Sequence, residues 1–410
     1  MGTVVVLIFS SWLILQSPAV QTYLTQKLAL RLSQKFNTTI TVQGVSVTFF
    51  SEVVLKDVLI EDQKHDSLLF VHELVAGIDS FSIKKRYVSI NQLKLDQAFL
   101  NINSDSTGNP NYQFLLDAFK QKDSIKTDSL GFGFIMNKFD FDDARIRYAY
   151  TDSTGPRQIL LDDISFGVSE MKLIDENIAF RIDRFKLNDQ KEFTLEDFSA
   201  RFVATPDSVM ITQLHAKTPN SEIAEANLYV DKSKIGPELD FKKLKLNLDL
   251  KKSVISLKDV GLLVPALKGM DENIEVSGQA SGKLADIKGK NIELSIGTNT
   301  RLAFDLYLNG LPDLTSTYMH IDLKQSFADL NDLGNVKLPD NFPLTQLKIP
   351  SQLLRAGIIE YNGNFTGFLS DFVAYGTFKS KWGVLTTDLS FVPSSGEKLK
   401  INGKVKTVNF

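Results

Sequence analysis

One short pattern constrains this chain more than any other. It reads Φ-x-Φ-x-x-Φ-x-Φ, where Φ is apolar and at least one residue of the central pair is acidic. It occurs at Val53, Leu55, Val58 and Ile60 around Asp57, and at Leu93, Leu95, Ala98 and Leu100 around Asp96. It recurs at Phe139, Phe141, Ala144 and Ile146 around Asp142 and Asp143, and at Ile159, Leu161, Ile164 and Phe166 around Asp162 and Asp163. Another copy lies at Phe193, Leu195, Phe198 and Ala200 around Glu196 and Asp197, and a weaker one at Ile255, Leu257, Val260 and Leu262 around Asp259. Side chains alternate along a flat strand, so the two apolar pairs would face opposite sides. A bulge at the central pair returns them to one face. The pattern therefore predicts strands that kink at a fixed place, as a curved, trough-shaped sheet requires. Chance recurrence in a β-rich chain is the plainer alternative. The uneven spacing excludes a strict solenoid period.

The rest of the chain agrees with a β fold. Thr39–Val47 alternates with period 2, and its parity swaps after Gln43-Gly44, as at a bulge or turn. Alternation continues through Val88–Ile102, Phe139–Tyr150, Ile178–Leu187, Phe193–Val203, Leu244–Leu250 and Leu302–Leu308, then Tyr318–Leu323, Phe372–Phe378 and Leu385–Phe391. Bounded by turns such as Asp105–Gly108 and Asp152–Gly155, these runs predict antiparallel strands. Short helices are expected only at Tyr112–Lys122, Val260–Lys268 and Gln325–Leu333. The fold class is mainly β: a long curved antiparallel β-sheet, trough or groove, with an N-terminal helix and a few short helices.

The start of the chain has a different character. Val4, Val5, Val6, Leu7, Ile8, Phe9, Trp12, Leu13, Ile14 and Leu15 form an uncharged apolar run, and no charged side chain appears before Lys27. Three readings compete: a membrane signal anchor, a signal peptide lacking the usual basic start and cleavage site, and a buried helix. We take residues 1–16 as the anchor. Residues 17–37 follow as an amphipathic helix, with Val20, Tyr23, Leu24, Leu28, Leu32 and Phe36 on one face. Such a face suits a membrane surface, the end of a sheet or ordinary core packing. Residues 38–260 and 261–410 are two successive sections of sheet, divided by punctuation at Gly261 to Gly269. The strand-like pattern still runs at Phe410, so the natural protein is expected to continue beyond it.

Chemistry for catalysis is hard to find. The net charge of −3 over 410 residues argues against a nucleic-acid binder, and the absence of cysteine removes thiolate metal sites and nucleophiles. His65, His72, His215 and His320 have no metal-ligand spacing, and H-E-x-x-H, G-x-S-x-G and the P-loop are absent. The acidic residues of the repeated pattern read as turn residues at kinks rather than paired catalytic carboxylates. No catalytic, cofactor or metal residues are assigned.

What remains is an anchor and a sheet with one oily side. Such a face aggregates unless covered, so either a second layer packs on it or it lines a trough for apolar ligand. Roughly 25 strands about 4.8 Å apart would extend on the order of 120 Å, which suits conduction along a groove. The candidate lining is Val53, Leu55, Leu93, Leu95, Phe139, Phe141, Ile146, Phe193, Leu195 and Phe198.

The order of segments resembles the TamB group of AsmA-like proteins, in the form found in Bacteroidetes-type bacteria. The matching stretches are Ser17-Pro18 with Val20–Leu24, Val53–Ile60 with Glu61-Asp62, Tyr112–Phe119, Gly310–Asp313 and the glycine-punctuated Gly357–Gly383 section. The resemblance implies a single-pass inner-membrane protein with its bulk in the periplasm. It also implies a lipid-lined groove that carries phospholipid between inner and outer membranes and supports outer-membrane protein assembly or secretion. The implied partners are phospholipid acyl chains, the inner membrane and an outer-membrane barrel of TamA or BamA type. It implies no enzyme, no cofactor and no nucleic acid. Two other classes stay open: a strand-edge assembly factor without lipid carriage, and a surface-anchored adhesin or fibre.

Overall fold

The computed structural model describes residues 17–47, 52–82, 87–104, 109–120, 133–152, 155–188, 193–233, 244–264, 267–283, 285–311, 313, 316–340, 345–346, 348–368, 370–393 and 399–408. The fold is mainly β, as the alternation predicts, and its strands make one curved, unclosed, mostly antiparallel sheet with a few short helices. The chain divides into two compact units, residues 1–202 and 203–410.

The first unit opens with α1 (Pro18–Phe36) and continues through β1 (Ile40–Val47), β2 (Glu52–Glu61), β3 (Ser67–Ser82) and β4 (Tyr87–Asn103). After α2 (Gln113–Lys120) come β5 (Gly133–Asp152), β6 (Gly155–Ile174), β7 (Asn177–Asn188), the short β8 (Thr194–Leu195) and β9 (Asp197–Ala204), in which the boundary falls. Pairing is antiparallel except between β4 and β5, which run parallel. That departs from the wholly antiparallel sheet expected. Parallel neighbours need a long crossover, and residues 104–132, which carry α2, provide one.

The kinks fall where the apolar pattern puts them. Asp57, Gln97 and Asp143 have φ 48° and Asp163 has φ 52°, all left-handed. Each is the second residue of a central pair. Asp enters this region more readily than most residues because its short polar side chain bonds locally. The bulges lie side by side: Val42 faces Val58, Val58 faces Val71, and Val71 faces Ala98. Ala144 faces Ile164 in the same way, and all six side chains are buried. Small apolar groups thus fill the inside of the bend and form the core of the unit. Three further runs kink without having been recognised: Phe166–Leu173 at Glu170, Val209–Ala216 at Gln213 and Ile287–Leu294 at Asn291. The last two carry an amide where an acid was required. The copy around Glu196 instead breaks between β8 and β9, and the one around Asp259 enters a helix.

Helix α1 covers β1. Its hydrogen bonds to β1 come from Thr22, Gln26 and Ser33, and Ala29 on the same stripe is buried. The Thr22 hydroxyl accepts the Val45 N–H (3.2 Å), Ser33 accepts the Ile40 N–H (2.8 Å), and the Gln26 amide donates to the Val42 carbonyl (3.3 Å). Side chains of the helix thereby stand in for a missing strand and satisfy an edge that would otherwise pair elsewhere. Tyr23, Leu24 and Leu28, half of the expected apolar face, point outward and are 62%, 50% and 54% exposed.

The second unit holds β10 (Ser208–Lys217), β11 (Glu222–Asp231), β12 (Lys245–Ser256), α3 (Leu257–Leu263), β13 (Asn273–Lys283), β14 (Asp286–Ile296) and β15 (Thr300–Asn309). It continues with β16 (Tyr318–Asp329), α4 (Leu330–Asn335), α5 (Ser351–Leu354), β17 (Ile358–Phe368), β18 (Asp371–Ser380), β19 (Gly383–Pro393) and β20 (Leu399–Val408). The expected helices appear displaced or shortened, and α5 was not anticipated. The Gly261–Gly269 punctuation lies inside this unit, where Gly261 belongs to α3.

A module recurs within it. Asp249, Leu250, Lys251, Ser253, Leu257, Asp259 and Gly261 match Asp322, Leu323, Lys324, Ser326, Leu330, Asp332 and Gly334 at identical spacing. The matched residues do the same work. Buried Ser253 and Ser326 take the backbone N–H groups of Ala224 (3.2 Å) and Ala303 (3.1 Å) beside a register shift. Asp259 and Asp332 reach from the first turn of α3 and α4 to a preceding hairpin turn. Asp259 accepts the hydroxyls of Thr218 and Ser221 (both 2.6 Å), and Asp332 accepts the N–H groups of Asn299 (2.8 Å) and Thr300 (3.0 Å).

Candidate apolar groove

The first unit carries a cavity of about 470 Å³, lined by leucine, isoleucine and phenylalanine alone among the described residues. Leu69 comes from β3, Leu95 and Leu100 from β4, and Phe139, Phe141 and Ile146 from β5. Ile164 and Phe166 of β6 and Phe185 of β7 complete it. The kinks explain this convergence. Leu95 and Leu100 lie on either side of Gln97, and Phe141 and Ile146 on either side of Asp143. Without the bulges each pair would straddle the sheet. The rings meet mainly edge to face: Phe139 on Phe166 at 6.2 Å and Phe166 on Phe185 at 5.4 Å. Five neighbouring strands contribute, so the lining extends on the order of 20 Å across the sheet.

Of the candidate lining residues, Leu95, Phe139, Phe141 and Ile146 line this cavity. Val53 and Leu55 pack on the same core cluster from β2. Leu93 is the Cα partner of Phe139 and is half-buried. Phe198 touches Phe185 edge to face at 6.4 Å, and Leu195 is the Cα partner of Leu187. Phe193 is half-buried just before β8, and neither it nor Leu195 lines the cavity. Leu69, Leu100, Ile164, Phe166 and Phe185 were missed as lining. Leu100, Ile164 and Phe166 were already in the repeated pattern, whose second apolar pair shares a face with the first. The proposed anchor residues, Val4 to Leu15, lie outside the described residues. No helix among the described residues is long and apolar enough to cross a membrane.

The second unit also has an apolar face. Leu228, Leu248 and Ala280 are successive partners on β11, β12 and β13, and Val230, Leu246 and Gly282 form a parallel row. Further on, Leu306, Ile321, Phe365, Ala374 and Leu389 cross from β15 to β19. All these side chains are half-buried rather than buried. Among the described residues the three helices here have seven, six and four residues, too few to cover the face. Glycine deepens it in places: Gly376 lies under the Tyr361 ring, where a Cβ would meet ring carbon at 2.4 Å. Packed there, the Tyr361 hydroxyl is pushed up by burial.

Among the described residues no group that could ionise lines the first-unit cavity, and the groups whose acidity is perturbed lie elsewhere. Asp305 is held down at about 2, chiefly by the Lys290 ammonium, then by the Asn291 N–H. Burial pushes Asp259 up, but the hydroxyls of Ser221 and Thr218 bring it below its ordinary value. Asp332 is lowered, first by the Asn299 N–H. These carboxylates tie strands and turns together. Among the described residues no cluster of three or more His, Asp or Glu could hold a metal. The cavity lining has no donor, acceptor or charge, so it can solvate hydrocarbon and does nothing to a polar bond. Comparison with known families finds no family model that matches the chain, and comparison with curated proteins finds no match either.

Proposed function

We propose that this chain is a membrane-anchored groove protein of the periplasm, similar to the TamB and AsmA-like group, that carries phospholipid between inner and outer membranes. In this reading it also supports outer-membrane protein assembly or secretion, with an outer-membrane barrel as partner. The observation that carries the proposal is the cavity of about 470 Å³ lined, among the described residues, by Leu, Ile and Phe alone. Its volume falls within the roughly 300–1,000 Å³ of small-molecule sites. Its extent on the order of 20 Å exceeds half of a roughly 30 Å hydrocarbon core, the depth of one leaflet's tails.

Energetics favour passage over storage. Each methylene shielded from water contributes about 0.8 kcal/mol. A bilayer provides the same shielding, so moving a tail from bilayer to groove is nearly neutral. The groove removes the water barrier between membranes without forming a trap. The test is to purify the full chain in mild detergent and identify bound lipid by mass spectrometry. Phospholipid in stoichiometric amount is expected, and a lipid-free folded protein would refute carriage.

A further inference from the structure

We infer that the outer face of α1 is a docking surface for an anionic phospholipid leaflet. The helix is mounted with its polar side inward: Thr22, Gln26 and Ser33 are committed to the backbone of β1. Its outward arc carries Tyr23, Leu24, Leu28 and Leu30, which are 62%, 50%, 54% and 62% exposed. Lys27, Arg31 and Lys35 project from the same arc and are exposed. Among the described residues none of these three cations meets a carboxylate, while Lys27 lies over the Tyr23 ring at 6.0 Å. The helix contains no acidic residue, although the whole chain has a net charge of −3.

A face that only packed against protein would have no need of three unpaired cations. A face for free nucleic acid would have no need of three exposed leucines. Leucine interleaved with Lys and Arg suits the boundary between headgroups and tails, where leucine enters the acyl layer and the cations meet phosphate. The surface is separate from the apolar cavity, so it stands whether or not the groove carries lipid.

The chain has no cysteine, which makes single-site labelling clean. Leu28→Cys in the full chain is labelled with an environment-sensitive fluorophore and reconstituted into phosphatidylcholine vesicles with or without phosphatidylglycerol. With phosphatidylglycerol, the label shifts to the blue and is quenched by spin-labelled lipid. The same label at Lys217, an exposed end of β10, does not respond. Each cation near an anionic surface is worth about fivefold in partitioning, so the K27E/R31E/K35E variant, or high salt, should abolish the shift. Equal signals with and without phosphatidylglycerol would overturn the proposal. So would a blue shift that grows with protein concentration in the absence of vesicles, because a second copy would then be the occupant.

Discussion

Replacing Ile146 by aspartate separates folding from lipid carriage. Ile146 lines the cavity and is half-buried between its Cα partners Leu100 and Leu161. In the open groove the new carboxylate keeps water, so the fold loses about 1–2 kcal/mol. A hydrocarbon tail would strip that water. An acidic group in hydrocarbon costs about 2.5–3.5 kcal/mol, and each 1.4 kcal/mol is about tenfold in occupancy. Bound lipid should therefore fall about 100-fold. The assay pairs lipid phosphorus per mole of purified protein with a circular-dichroism melt. Ile146→Leu is expected to retain lipid, and Ile146→Asp to melt cooperatively without it. Phe141→Asp makes a poorer test: Phe141 is buried in the core, so that variant should lose the fold as well. A folded Ile146→Asp protein with the native lipid content would refute the reasoning.

Three further predictions concern the frame. Asp143 has φ 48°, so Asp143→Gly should be tolerated, whereas Asp143→Val should destabilise by about 1–3 kcal/mol in urea unfolding; equal stabilities would contradict the kink assignment. Asp332→Ala removes the acceptor of the Asn299 and Thr300 N–H groups and should cost about 1–3 kcal/mol by the same assay, with Asp259→Ala weakening the matching turn. Asp305 is held at about 2 against an ordinary 3.8. Its folded value lies below its unfolded value, so its stabilisation is present above the ordinary value and is lost as pH falls toward about 2. Asp305→Asn should flatten the stability–pH curve across that window, and an unchanged slope there would exclude the Lys290 contact.

The sheet was legible because period-2 alternation depends only on local burial, and the kinks were legible because a left-handed residue reverses parity. Requiring an acid hid Gln213 and Asn291, whose amides occupy the same backbone conformation. The parallel β4–β5 pair was illegible, since strand direction depends on a crossover and not on side-chain period. What the apolar face of α1 meets was illegible for a different reason. Apolar periodicity locates a helix's oily side but not what it meets, and here the backbone groups of β1 claimed the hydroxyl and amide side. Five of the nine lining residues were overlooked: Leu100, Ile164 and Phe166 form second apolar pairs of recognised copies, while Leu69 and Phe185 sit in runs that fit the same pattern around Glu73 and Asp183 but were not singled out. Their place is set by register against β4 and β6.

The central claim is that acyl chains occupy the kinked apolar side of the first unit. Photo-crosslinking tests it most directly. A benzophenone amino acid is placed at Leu100, inside the cavity, and in a second variant at Arg147, exposed on the neighbouring strand. After irradiation in membranes, mass spectrometry should find phospholipid attached at position 100 and none at position 147. Phospholipid at both positions, or at neither, would contradict the account.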